Sequence, residues 1–308
     1  MLYIKDILVI ILTAEFLIGI LGNGYIGLVN WISWIKKKKI SSIDYILINL
    51  AISRICLIGA MVLNAIFLIF YPDAYDLNEV RVVISAFWTL ANYLSTWLAT
   101  CLNVFYFLKI ASFSHPLFLW LKWRIDRMVH WILLGCFVIS VLVSFILAKV
   151  FICDYWYFKI SKPKENGTDL FHVSKFQYFN PLTLFNLSLI IPFIVSLISF
   201  LLLIISLWRH TKQMKLNATG FRDPSTEAHV KAMKTVILFL FLLIMYYVAS
   251  LFINFSYLIR DNTLAIIFGE IVAILCPLGH SFILIIGNNK LRQTFVKMLT
   301  CRKITCVM

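Results

Sequence analysis

The protein has 308 residues, of which 62% are hydrophobic and 14% are charged, and its formal net charge is +14. A soluble domain is about half apolar and about a quarter charged, so the apolar excess is too large for a buried core and has to face lipid. The positive charge does not indicate nucleic-acid binding, because the basic residues form short clusters between long apolar runs and no nucleic-acid-binding motif is present.

Seven long apolar runs follow one another along the chain. A helix needs about 20 apolar residues to span a bilayer, and each run supplies them. The first run is far longer than the core of a signal peptide, which is about 7–15 residues, so it is interpreted as a membrane helix. We predict a single domain over 1–308, an all-α seven-transmembrane helix bundle with helices at about 7–35, 43–70, 84–111, 127–152, 180–208, 233–259 and 263–287.

A short amphipathic helix is predicted after the seventh span, at about 288–300. Leu291, Phe295 and Met298 or Leu299 fall on one face of this segment, and its basic residues lie elsewhere. Such a segment is typical of a helix that lies on the inner leaflet of the membrane.

Polar residues in the first two helices fall at similar depth. Asn23 and Arg54 each lie roughly 16–18 Å from the basic end of their helix, at 1.5 Å per residue, so they can meet. They are interpreted either as a structural hydrogen-bond latch or as a switch whose partners change on activation. Asn103, or Ser281 beside His280, is the candidate alternate partner.

Helix 3 carries a stripe of mixed chemistry. Trp88, Asn92 and Ser95 follow the i, i+4, i+7 spacing of one helix face, and a stripe with Asn and Ser is not expected to face lipid. Glu270, in helix 7, lies at similar depth. An aromatic wall with a few polar groups and one acid suits a small-molecule pocket. In the competing interpretation, Glu270 only holds helix 7 to a neighbouring helix.

The loops differ in charge between the two sides of the bundle. Four stretches (36–39, 109–127, 209–234 and the tail after 287) hold 19 Lys and Arg against three Asp and Glu. The other side, with residues 1–6, holds eight basic and eight acidic residues. Basic loops stay on the cytoplasmic side, so we predict an extracellular N-terminus and a cytoplasmic C-terminus.

The longest outer loop, roughly 153–179, contains a glycosylation sequon at Asn166. It is on the side of the membrane where N-linked glycan is added. The sequons at Asn186 and Asn254 fall within helices, and the one at Asn217 falls on the cytoplasmic side, so we predict glycan at Asn166 alone.

Catalytic motifs are missing from the sequence. We find no nucleophile–base pair, no phosphate-binding loop and no metal-ligand cluster, so neither an enzyme nor a metal site is predicted. A small transporter or channel is one alternative, because charged residues within the membrane fit an ion path. However, the chain has no inverted repeat. Another seven-helix chemosensory receptor is the second alternative, because its topology would be the same.

Several strings resemble the taste receptor type 2 family, the bitter taste receptors among the G-protein-coupled receptors. They lie in the helices and in the predicted inner loops. They are GILGNGYIGLVN ending at Asn30, LAISR at 50–54, WLATCLNVFYFLKIASFSHP at 97–116, PFIVSLISFLLLIISLWRH ending at His210, RDPSTEAHVKAMK at 222–234 and HSFILIIGNNKLR at 280–292.

The resemblance implies a plasma-membrane receptor whose agonist binds in the outer half of the bundle. The family's pocket positions correspond to Trp88, Asn92, Tyr246 and Glu270, of which Tyr246 rests on the resemblance alone. It also implies bitter small-molecule agonists, no cofactor, and coupling to a gustducin-like or other inhibitory-class heterotrimeric G protein. Arg81 stands where a loop-bridging cysteine is usual in rhodopsin-like receptors, so the usual outer disulfide is not expected.

A G protein is expected to dock on the basic inner face. The side chains predicted to line that face are Lys109, His115, Arg209, His210 and Lys234. The alternative is that these charges only set the orientation of the chain in the membrane.

Overall fold

The computed structural model describes residues 2–38, 40–71, 78–161, 183–217, 224–259 and 263–305. Within these ranges the regular secondary structure is helical, with no strand. The helices are α1 (Leu2–Lys37), α2 (Ser42–Phe70), α3 (Asn78–Ile110), α4 (Pro116–Ser161), α5 (Ile190–Asn217), α6 (Pro224–Ile259), α7 (Thr263–Gly287) and α8 (Asn289–Thr305). The predicted seven-helix fold with a short C-terminal helix is confirmed.

Several helices extend beyond their predicted bounds. Helix α4 begins at Pro116 rather than near 127 and runs to Ser161 rather than 152, and α6 begins at Pro224 rather than near 233. Hydropathy detects only the apolar part of a helix, whereas the helical backbone continues into polar flanks. Both helices begin with proline, whose fixed φ and missing N–H suit the first helical position.

Helix α5 contains a proline near its start, and a neighbouring helix compensates for it. The described chain is already helical from Thr183, and backbone bonds continue through Leu189 to Phe193. Pro192 has no N–H to donate to the carbonyl of Ser188. The hydroxyl of Tyr93 on α3 donates to that carbonyl at 3.4 Å, so α3 and α5 are joined where the helical ladder is interrupted.

The seven long helices pack as a closed bundle. Helix α1 packs on α2 and α7, α7 packs on α6, α6 packs on α5, and α3 lies against α2, α4 and α5. The main core cluster contains Leu50 of α2, Leu98 and Leu102 of α3 and Leu203 of α5, all nearly inaccessible to solvent. This packing gathers the polar stripe of α3 and the charged residues of α2 and α7 in the interior.

Large apolar side chains also cover the outside of the bundle. On α4, Trp131 is 75% exposed and Phe145 is 62% exposed. Seven helices within the described ranges are long and apolar enough to cross a membrane. A surface of this kind is stable only against lipid, so the chain is a multi-pass membrane protein.

Helix α8 is fixed to the bundle at one end, here called the basic end, where α1, α3, α5 and α7 finish. Asn288 caps α8, its Oδ1 accepting from the backbone N–H of Lys290 at 3.0 Å. The side chain of Lys290 forms an ion pair with Asp44 of α2 at 2.9 Å. Leu291 is fully buried, and its carbonyl accepts from the hydroxyl of Tyr25 on α1 at 2.7 Å.

Candidate functional site

A cavity lined by both polar and apolar side chains lies between α2, α3, α6 and α7, towards the end opposite the basic end. Trp88 and Asn92 line it from α3, Tyr246 from α6, and Glu270 and Ala273 from α7. Its volume is about 50 Å³. The structure therefore brings together the four residues predicted for a ligand pocket. We call this space the Trp88 cavity.

Glu270 is the acidic group of the Trp88 cavity. Its side chain is buried, and its Oε1 accepts a hydrogen bond from the amide of Asn64 on α2 at 2.8 Å. Its Oε2 has no hydrogen-bond partner among the described residues. One oxygen of this carboxyl thus connects α7 to α2, as the scaffold interpretation expects, and the other is buried without a partner in the described chain.

Asn92 and Tyr246 form the floor of the Trp88 cavity. The hydroxyl of Tyr246 donates to Oδ1 of Asn92 across the space between α6 and α3. Both residues also line a second cavity of about 70 Å³ nearer the middle of the bundle. The hydrogen bond between them therefore separates the two cavities.

Two further buried residues near the site were not predicted. Phe185, just before α5, is fully buried, and its ring centroid lies 4.9 Å from that of Trp88. Asn186 beside it is also buried and accepts from the hydroxyl of Ser250 on α6 at 2.6 Å. The one visible signal is an Asn in an apolar run, which the sequence assigns only to a sequon within a helix.

Asn23 and Arg54 are connected through a third residue. Arg54 Nη1 donates to Oγ of Ser281 on α7 at 3.0 Å, and the Ser281 hydroxyl donates to Oδ1 of Asn23 at 2.8 Å. All three side chains are buried. The network joins α1, α2 and α7, which is the geometry that a latch requires. Whether its partners change on activation stays a prediction.

The second cavity, here called the Arg54 cavity, contains the other polar residues predicted for a switch. Asn103 and His280 line it together with Arg54. The amide of Asn103 lies 3.4 Å from Oγ of Ser196 on α5, so Asn103 is paired with α5 rather than with Arg54. The ring of His280 packs against Phe239 of α6 with centroids 4.3 Å apart.

The residues predicted to face a G protein lie at the basic end. His115, Arg209, His210 and Lys234 are exposed. Lys109 is also accessible and forms an ion pair with Asp126 of α4 at 2.6 Å.

A larger cavity of about 390 Å³ opens beside these residues, and we call it the basic-end cavity. It lies between α3, α5, α6, α7 and α8, and the predicted residues are not part of its wall. Its polar lining includes Tyr106, Lys231, Thr235, Asn289 and Arg292. The sequence identifies the basic clusters but not which of their members line this cavity, because that depends on how each helix is rotated in the bundle.

The predicted glycosylation site, Asn166, lies outside the described residues and stays a prediction. The other sequons agree with their assignment to helices. Asn186 and Asn254 are buried inside the bundle, at 3% and 6% exposure, where no glycan could be attached.

Comparison with known proteins gives consistent matches over nearly the whole chain. The family model described as "Taste receptor protein (TAS2R)" matches residues 1–303. The chain is 66% identical to taste receptor type 2 member 8 of Homo sapiens over 302 residues, covering 98% of both chains. It is 51% identical to taste receptor type 2 member 7 of Macaca mulatta over 296 residues, covering 96% of this chain and 93% of the relative. These matches confirm the resemblance carried by the sequence motifs.

Proposed function

The chain belongs to the taste receptor type 2 family, and we propose that it is a plasma-membrane receptor for bitter small molecules. The family is one of receptors rather than enzymes. In this proposal the N-terminus is extracellular and the C-terminus cytoplasmic, so the Trp88 cavity faces outward. Agonist binding there activates a heterotrimeric G protein of the gustducin-like, inhibitory class at the basic end.

The observation that carries the agonist site is the half-satisfied carboxyl of Glu270. Buried polar atoms in native proteins nearly always have a partner, so an exception usually has a reason. Glu270, whose Oε2 has no partner among the described residues, lines a cavity that also presents the flat ring of Trp88. A ligand with a ring and a cationic amine or hydroxyl would stack on Trp88 and donate to Glu270.

The size of the Trp88 cavity implies that binding changes the side chains around it. Pockets for drug-sized ligands typically measure about 300–1,000 Å³, whereas this cavity measures about 50 Å³. A ring-containing agonist therefore has to displace Trp88 or separate Asn92 from Tyr246. The second movement would join the Trp88 cavity to the Arg54 cavity, and agonist binding would then reach the Asn23–Ser281–Arg54 network.

Replacing Glu270 by Gln tests the agonist site. The variant keeps the shape and the acceptor for Asn64 but removes the charge. We expect potency to fall for cationic agonists by about 1–3 kcal/mol, the value of a lost charge-assisted bond, and to fall much less for neutral ones. The measurement is agonist-stimulated calcium release in cells. Trp88→Leu should lower the potency of ring-containing agonists, whether they are cationic or neutral.

Two matched variants separate a pocket from a scaffold. Glu15→Gln changes a buried carboxyl of α1 that does not line the cavity, and Trp131→Leu changes an exposed tryptophan of α4. Both should leave potency unchanged. A uniform loss across all agonists in Glu270→Gln, or equal losses in the two tryptophan variants, would contradict the agonist site.

A further inference from the structure

Arg54 is a buried cation without a counterion among the described residues. Its side chain is 3% exposed in the middle of α2. Its Nη1 is bonded to the neutral hydroxyl of Ser281, and its Nε has no partner in the described part of the chain. The ion pairs within the described ranges are Lys109–Asp126 and Lys290–Asp44, both at the basic end. A charge in the membrane interior is costly unless something neutralises it.

The Arg54 cavity offers hydrogen-bond donors and no acid. Its wall contains Arg54, His280 and Asn103, and no Asp or Glu is among its lining residues. Both ring nitrogens of His280 are buried without a partner in the described chain, and one of them carries a proton in the neutral ring. A guanidinium, an imidazole and an amide that border one acid-free cavity form a donor set for an anion.

The cavity is sized for a small anion. Its volume is about 70 Å³, and a cavity needs at least about 10–15 Å³ of such space to hold one water molecule. A halide ion is only slightly larger than water, so one halide fits with room for a water. A single guanidinium balances one negative charge. A doubly charged anion such as sulfate would exceed the positive charge of the site.

We propose that the Arg54 cavity binds one monovalent inorganic anion, with chloride as the physiological occupant. The ion accepts from Nε of Arg54 and from the ring N–H of His280. It neutralises Arg54 without removing the bond from Nη1 to Ser281. Because Arg54 is on α2 and His280 is on α7, the bound ion ties these two helices together and stabilises the bundle.

The first test compares halides in the intact purified receptor. We expect the apparent melting temperature to be about 2 °C higher in chloride than in gluconate at equal ionic strength and pH, the shift for a protein of 308 residues and a ligand present at about ten times its dissociation constant. Bromide should replace chloride and sulfate should not. Bromide-soaked crystals should show an anomalous peak between Arg54 and His280. Equal melting temperatures in chloride, bromide and gluconate would mean that only water occupies the cavity, and the proposal would be wrong.

Single variants show whether the chloride-dependent rise in melting temperature arises in the Arg54 cavity. Arg54→Gln should abolish the chloride-dependent rise, and Arg124→Gln should keep it, because Arg124 is an exposed arginine over the ring of Trp120. His280→Phe keeps Arg54 but removes the imidazole donor, so it should reduce the chloride-dependent rise in melting temperature. This variant tests the site even if Arg54→Gln does not fold. A rise that is lost equally in Arg124→Gln, or kept in full in His280→Phe, would overturn the assignment to this cavity.

Discussion

At the scale of single residues, the hydrogen bond between Asn92 and Tyr246 lies between the Trp88 cavity and the Arg54 cavity. Asn92 is 2% exposed, and its Oδ1 accepts from the Tyr246 hydroxyl. Both side chains border the Trp88 cavity and the Arg54 cavity. The bond is therefore a structural contact between α3 and α6 and also the contact that an agonist entering from the Trp88 side would meet.

Removing this hydrogen bond should destabilise the receptor. Tyr246→Phe keeps the ring but leaves the buried Oδ1 of Asn92 without its donor, which costs about 1–3 kcal/mol. Tyr247→Phe is the matched control, because the hydroxyl of Tyr247 makes only a long contact of 3.4 Å with the Asn186 carbonyl. We expect the apparent melting temperature of the purified protein to fall clearly in the first variant and little in the second. Similar melting temperatures would show that the Asn92–Tyr246 bond contributes nothing.

The sequence predicted individual site residues better than their partners. Trp88 and Asn92 follow helical spacing, and a charge in an apolar run singles out Glu270, so periodicity and depth place all three without a structure. The pairing of Glu270 with Asn64, and the contact of Phe185 with Trp88, depend on how neighbouring helices are rotated against each other. A single sequence does not specify how neighbouring helices are rotated against each other.

At the scale of helices, α1 lies close to α2 and α7 at Gly19. A Cβ atom at this position would lie 2.5 Å from Cδ1 of Ile58 and 2.9 Å from Cδ2 of Leu278. The carbonyl of Gly19 also accepts from the amide of Asn23 at 2.9 Å, which orients the Asn23 side chain. A small residue at Gly19 thus holds α1 close enough for Asn23 to reach Ser281.

Enlarging Gly19 should push α1 away from the bundle. Gly19→Leu overpacks a closed contact, which costs about 1–3 kcal/mol and occasionally more. In Gly22→Leu the added Cβ would meet nothing within 4 Å, and leucine is the better helix former. We expect surface expression and thermal stability to fall in Gly19→Leu and to be kept in Gly22→Leu. Equal behaviour of the two variants would exclude a special packing role for Gly19.

Hydropathy predicted the number and order of the helices because the bilayer imposes one length on every span. It did not predict where helices continue beyond the membrane. The ten residues before 127 contain Lys122, Arg124 and Asp126, so they resemble a loop, yet they form the first turns of α4. There, Lys122 donates to the carbonyl of Ala111 at 2.9 Å, a contact between segments that local composition does not reveal.

At the scale of the whole molecule, three cavities follow one another through the bundle. The Trp88 cavity and the Arg54 cavity share Asn92 and Tyr246, and the Arg54 cavity and the basic-end cavity share Asn103 and His280 among others. Each boundary therefore consists of a few side chains rather than a continuous core. A change at one boundary can alter the next through direct contact, which is the physical basis that the proposed signalling requires.

The proposed orientation predicts a glycan at Asn166. If the Trp88 end is extracellular, this sequon is exposed to the glycosylation machinery, whereas Asn186 and Asn254 are buried. Endoglycosidase treatment should increase the mobility of the wild-type protein on a gel, and Asn166→Gln should abolish the change. A wild-type protein without a shift, or a variant that still shifts fully, would contradict the orientation or the loop assignment.

The proposed docking of a G protein at the basic end should depend on charge and position together. Lys231 lines the basic-end cavity, and His210 and Lys234 are exposed beside it. Reversing His210 and Lys234 to Glu, or Lys231 to Glu, places like charges where the partner is expected to approach, which should slow agonist-stimulated nucleotide exchange about 10-fold or more. Arg124→Glu makes the same kind of change on α4, away from the cavity, and should slow exchange little.

If the charges only set the membrane orientation, every variant that reaches the cell surface will exchange nucleotide at the wild-type rate. A loss confined to the variants around the cavity, at normal surface expression, would place the partner there.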